Sequence, residues 1–179
     1  MAQRGSERIC LPPELPFQSI ARIAAEASGV AFEVMVFGRM PLAISARCAH
    51  ARSKGRTKDN CQFVCGEEPD GLPIRTLDRQ SFLVLNGVQT MSHTCQLLLN
   101  ELRDLQEAGL SSFRLSPQDC DMVRIASIFQ QTLSGRMETD EAAARIGHCY
   151  PGATFSNGFY HAREGATWVS RAKSLAQSQ

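Results

Sequence analysis

The amino-acid sequence predicts an α/β fold, with helices packed on a parallel sheet. Three observations predict it. Apolar β-rich runs alternate with helical periodicities along the chain. Glycine and proline punctuate the junctions between them. The 43% hydrophobic content of 179 residues is enough to build a sizeable core.

The elements follow in order. Residues 8–11 form a short apolar run closed by Pro12 and Pro13, which predicts a strand. Phe17, Ile20, Ile23, Ala24 and Ala27 recur at helical spacing, with Gly29 as the stop. Residues 30–37 are apolar and β-rich apart from Glu33 and predict a buried strand, ended by Gly38, Arg39, Met40 and Pro41. The small amphipathic stretch 41–47 carries no assignment. Residues 74–78 and 82–85 predict two short strands, the second broken at Asn86-Gly87. Residues 94–108 predict a helix, with Leu98, Leu102 and Leu105 on its apolar face and Gly109 as its C-terminal stop.

A short strand is expected at 112–115. Ser116 as N-cap, Pro117 in the first turn and Asp119 then predict a helix running through Ile125, Ile128 and Phe129 to Gly135. Another short helix is expected at 139–146. The remainder to Trp168 is Gly-rich and reads as irregular, and residues 173–179 read as a disordered tail. The expected organisation is a domain over 1–135 and a C-terminal extension over 136–179.

Composition narrows the function classes. With 19 basic and 18 acidic residues the formal net charge is +1, which argues against a dedicated nucleic-acid module. No apolar run reaches the roughly 18 residues of a membrane-spanning helix. The first residues lack the apolar core of a secretory signal, so a cytoplasmic location is expected. Seven cysteines are many for such a chain. In a reducing compartment they point to metal or cluster binding rather than disulfides.

The sharpest motif lies in the long polar stretch 48–73. Loops beyond about 12–15 residues usually have a function, and a bound metal can order one. Cys61 and Cys65 flank Gln62-Phe63-Val64, and Cys48 lies upstream. Soft thiolates are the preferred ligands of iron–sulfur clusters. Arg47, Arg52, Lys54, Arg56 and Lys58 surround them, and positive charge stabilises both thiolates and a net-negative cluster. Zinc is the competing metal, although its sites favour closer C-x-x-C pairs. Cys10, Cys95 and Cys120 read as small buried hydrophobes, and Cys149 is left open.

His50 reads either as a ligand or as a loop histidine, and His93 either as a group acting on substrate or as part of a helix start. Arg39 and Gln89 follow strands and are candidates for an anionic substrate. No Walker loop, GxGxxG, HExxH or GxSxG motif is present.

Several strings carry a family resemblance: Leu11-Pro-Pro-Glu-Leu-Pro16, residues 37–48, residues 57–66, Arg75-Thr-Leu-Asp78, Asn86-Gly-Val-Gln-Thr90 and Phe113-Arg-Leu-Ser-Pro117. Together they resemble the collagenase-like peptidase family of unassigned catalytic type. The nearest branch is UbiV, of oxygen-independent ubiquinone biosynthesis. The resemblance covers roughly residues 8–135. It implies a TIM-like barrel, of which this chain would hold about half. It also implies a 4Fe–4S cluster, with Cys48, Cys61 and Cys65 matching three of four family ligands and the fourth in the N-terminal half of the full-length protein. The implied role is an iron–sulfur subunit of an oxygen-independent hydroxylation system, acting with a UbiU-like partner subunit and an SCP-type lipid-binding accessory protein. Related branches hydroxylate RNA bases, and early members were called proteases. No nucleophile–base pair for proteolysis stands out, and the catalytic residues are unknown. A truncated, inactive product is the remaining expectation.

Overall fold

In a computed structural model, residues 4–27 and 29–170 are described. They form a mixed α/β structure with seven strands in one open sheet and five α-helices. The strands are β1 (Arg8–Cys10), β2 (Ala31–Ile44), β3 (Leu72–Arg75), β4 (Ser81–Asn86), β5 (Gln89–Leu97), β6 (Ser112–Leu115) and β7 (Phe155–Ser156). The helices are α1 (Phe17–Glu26), α2 (Ala49–Ser53), α3 (Leu102–Glu107), α4 (Met122–Leu133) and α5 (Thr139–Cys149). The order across the sheet is β1-β2-β5-β4-β3, with β6 paired to β2 and β7 to β5.

The expected parallel sheet is therefore only part of what forms. β1 and β6 both pair with β2 in parallel, from Arg8↔Ala31 to Cys10↔Glu33 and from Glu33↔Ser112 to Phe37↔Leu115. β3, β4 and β5 instead make an antiparallel meander. The chain divides into two compact units, one of Met1–Gly38 with Gln96–Gln179 and one of Arg39–Cys95.

The first unit is built on apolar packing. Val34, Met35, Val36 and Phe37 of β2 are buried, as are Leu97, Leu98, Leu99, Leu105, Ile125, Ile128, Phe129 and Ile146. The rings of Phe37 and Phe129 meet edge-to-face at 6.2 Å. Each such side chain contributes about 1.5–3 kcal/mol on burial, so this one core dominates the unit's stability. Helix α4 starts later than Ser116, because the Ser116 N–H is bound to Phe37 O at 2.8 Å and keeps the chain extended. The cap is Asp121, whose Oδ1 accepts from Arg124 N at 2.9 Å.

Two further readings are corrected. Residue 38 does not end β2: Gly38 takes φ +119°, a Cβ there would overlap the Ser116 side chain and backbone, and the strand continues to Ile44. The expected helix 94–108 is strand β5 followed by the six-residue α3. Asn86↔Gln89 pairing leaves Gly87 and Val88 as a two-residue hairpin turn, with Gly87 at φ +60°. That pairing holds residues 89–92, β5 lies between β4 and β2 in the sheet, and buried Leu98 and Leu99 follow the strand end at Leu97.

The short helix expected at 139–146 forms as α5 and runs three residues further, to Cys149. Beyond α5 the chain is fastened by buried Asn157, which donates to Glu101 Oε1 (2.8 Å) and Val169 O (3.0 Å) and accepts from Val169 N (2.7 Å). His161 Nε2 also reaches Glu101 Oε1, at 2.9 Å. The expected tail 173–179 lies outside the described residues. No helix among the described residues is long and apolar enough to cross a membrane.

Candidate functional site around three cysteines

The second unit carries Cys48, Cys61 and Cys65, each set at the edge of a short helical turn. Cys48 is the N-cap of α2, its Sγ accepting from Ala51 N at 3.3 Å, and it is buried. A thiol thus fills the role usually given to Ser or Asp. Cys61 follows the 3₁₀ turn Lys58–Asn60, and its Sγ accepts from Phe63 N at 3.4 Å. Its carbonyl accepts from Arg56 Nη1 at 3.1 Å. Cys65 lies within the second 3₁₀ turn, Val64–Glu67.

The backbone between Cys61 and Cys65 is tightly wound. Gln62 and Phe63 both take φ +53°, in the left-handed region that non-glycine residues avoid. Each costs on the order of 1–2 kcal/mol and persists only where the surroundings fix it. The winding turns Val64 inward onto Cys48 and Ala51, with Cys61 and Val88 packed against them. It leaves the Phe63 ring 83% exposed. Cys65 Sγ lies 3.9 Å from where a Cβ on Gly87 would stand. Cys61 and Val88 thus pack on the Cys48 cluster, and Cys65 lies beside Gly87, Val88's neighbour in the hairpin turn.

A polar clasp holds two of these turns together. Glu68, which ends the Val64–Glu67 turn, receives Lys54 Nζ on Oε1 at 2.9 Å. Its Oε2 stands 2.7 Å from Nε2 of fully buried His50, in contact but without the alignment of a hydrogen bond. Both partners come from the α2 region, so Glu68 ties the Cys48 turn to the Cys65 turn. The Lys54 hydrogen bond is the largest influence on the Glu68 carboxyl. With the Lys54 charge and His50 it outweighs desolvation, and the pKa is lowered.

The remaining sequence candidates sort differently. Arg39 is half-committed to structure: its Nη1 donates to Ser92 O and His93 O, and its Nη2 pairs with Asp70 at 3.5 Å. His93 lies in β5 rather than at a helix start, its Nδ1 3.0 Å from Phe82 O. Gln89 is exposed beside the hairpin turn. Cys95 is a buried hydrophobe as expected, but Cys10 is exposed, with Sγ donating to Glu33 Oε1 at 3.2 Å. That bond is the main reason its thiol pKa is raised. Cys120 and Cys149 are half-buried. The sequence reading missed Glu68 and also buried Glu101. A lone glutamate inside the Leu-rich run 97–105 was the available signal for the latter.

Among the described residues, no group of three or more His, Cys, Asp and Glu side chains converges as a cage for a metal ion. The donor chemistry nevertheless suits a cluster. All three candidate ligands are thiols, two already accept backbone N–H groups, and the segment 47–58 carries Arg47, Arg52, Lys54, Arg56 and Lys58 with no acid. A family model, Peptidase family U32, matches residues 1–170. The chain belongs to peptidase family U32. No solved structure matches it. The family places the cysteine unit and the parallel β1–β2–β6 unit in one inherited framework, because the match spans both.

Proposed function

We propose that this U32 chain is an iron–sulfur subunit of an oxygen-independent hydroxylation system in ubiquinone biosynthesis, of the UbiV kind. Cys48, Cys61 and Cys65 would hold a 4Fe–4S cluster, with the fourth ligand outside the 48–73 loop. The observation that supports this reading is that Cys48 and Cys61 pack in one small cluster and each sulfur already accepts a backbone N–H, while Cys65 lies beside the Gly87 turn. Such donors favour the thiolate form and lower the charge that a cluster presents. The parallel β1–β2–β6 arrangement, with α1 between β1 and β2, supports the related proposal that the first unit is part of a TIM-like barrel.

When bound, the cluster supplies one-electron redox chemistry or an open iron site. The chain's own residues do the holding. Cys48 Sγ is fixed by α2, Cys61 Sγ by the left-handed turn, and Glu68 keeps the first and third turns together. A UbiU-like partner and an SCP-type accessory protein are the proposed associates.

The test is anaerobic reconstitution with iron and sulfide. About four irons per chain are expected, with broad visible absorption that is lost in Cys48→Ala, Cys61→Ala and Cys65→Ala. A protein that stays colourless and iron-free contradicts the proposal. The family name also raises a peptidase reading. A peptide-cleavage assay on the reconstituted protein is expected to stay negative.

A further inference from the structure

A pocket of about 430 Å³ opens beside Cys48, within the second unit. Arg47, Arg52, Arg56 and Lys58 line it, with Thr57 and a single acid, Asp59. The volume lies in the range of small-molecule sites. The charge around it is unusual for a chain whose net charge is only +1. Two other acids of this region are already engaged: Glu68 pairs with Lys54, and Asp70 with Arg39. The pocket's own cations have no such partners. Among the described residues, the side chains of Arg47, Arg52 and Lys58 form no ion pair or hydrogen bond, while Arg56 donates to Cys61 O.

Four like charges around one concavity, opposed only by Asp59, make a positive potential that draws in an anion. Guanidinium groups offer planar paired donors that match phosphate and carboxylate oxygens. Thr57 adds a hydroxyl donor on the same wall. We infer that this pocket binds a small oxyanion, a metabolite bearing a phosphate or closely spaced carboxylates, next to Cys48. The site goes beyond the cluster proposal: Cys48 lines both, but the oxyanion would be held by Arg47, Arg52, Arg56 and Lys58, none of which is a proposed cluster ligand, and its binding is read before iron is added. Arg56 has a double placement. Its hydrogen bond to Cys61 O links the pocket wall to the second cysteine turn.

The experiment is calorimetric titration of the full chain with inorganic phosphate and, separately, with malonate, before iron is added. Saturable binding of at least one probe is expected, weakening with salt. Arg52→Gln and Lys58→Gln should each weaken it about 5–10-fold, and the double variant about 30-fold or more. Arg79→Gln, an exposed cation of the same unit outside the pocket lining, should leave it within about twofold. The comparison of phosphate with malonate tells which oxyanion chemistry the site prefers. If neither probe binds, or if both bind the double variant as well as the parent chain, the inference is overturned. Tight binding of a short RNA that phosphate and malonate cannot compete away would also overturn it. Iron content is measured on the same samples, so failure of the pocket and failure of the cluster are read separately.

Discussion

The two units of this chain are held by different physics. The Met1–Gly38 and Gln96–Gln179 unit rests on a large apolar core, with Phe37, Phe129, Ile125 and the Leu97–Leu99 run all buried. The Arg39–Cys95 unit buries far less. Its buried apolar residues are Met40, Val84, Cys95 and the small cluster of Cys48, Ala51 and Val64, while Leu42, Ile44, Phe63, Leu77 and Phe82 stay exposed. In place of a deep core it uses cysteine caps, a glutamate clasp and a tight hairpin. A segment with so little apolar burial is the natural place for a cofactor to supply the missing order.

That contrast can be broken in graded steps. The largest effect belongs to the core of the first unit. Phe129→Ala removes the ring that packs on Phe37 and should lower stability by about 3–5 kcal/mol in urea denaturation. Val64→Ala, at the centre of the second unit's cluster, should cost only about 1.5–2 kcal/mol by lost burial. Equal losses at the two sites would show that the second unit has a hidden core of its own.

Next in size is Gly38→Ala. A Cβ there overlaps both the side chain and the backbone oxygen of Ser116, and φ +119° is left-handed for any other residue. About 1–3 kcal/mol is expected. Asp121→Ala, which removes the α4 cap, should cost about 1 kcal/mol by the same denaturation measurement.

The smallest global effect, but the most local one, is Glu68→Gln. The folded state lowers the Glu68 carboxyl from its ordinary value of 4.5, with the Lys54 hydrogen bond as the first cause. Its contribution is therefore full above that value and is lost as pH falls through the lowered folded value. Acidification should loosen the α2 and Val64–Glu67 turns in the parent chain but leave Glu68→Gln unresponsive. Amide exchange across pH 3–6 reads this directly, and an identical response in both proteins would remove the clasp from the account.

The sequence made some of this legible and hid the rest for identifiable reasons. Residues 30–37 and 112–115 read as strands because their apolar runs need no distant partner to be recognised, and α1 read from its 3.6-residue period. The cysteine trio stood out because a polar stretch of sequence offers thiols no evident core, whereas in the structure Cys48 and Cys61 do pack with Ala51 and Val64. Residues 94–97 misread as helix because Leu98, Leu102 and Leu105 fit helical spacing, and only the place of β5 between β2 and β4 in the sheet decides otherwise. Asn86-Gly87 read as a strand break, and in the structure Gly87 and Val88 form the hairpin turn beside Cys65. Glu68 was invisible because a clasp formed fourteen residues from Lys54 leaves no local pattern.

The central claim is that the cysteine unit is completed by a cluster. It is tested most directly at the two amides that donate to sulfur, Ala51 and Phe63. Their hydrogen exchange should slow by at least about tenfold on anaerobic loading with iron and sulfide, while amides of β2 beside β6 stay unchanged. Exchange at Ala51 and Phe63 that is the same before and after loading would contradict the account.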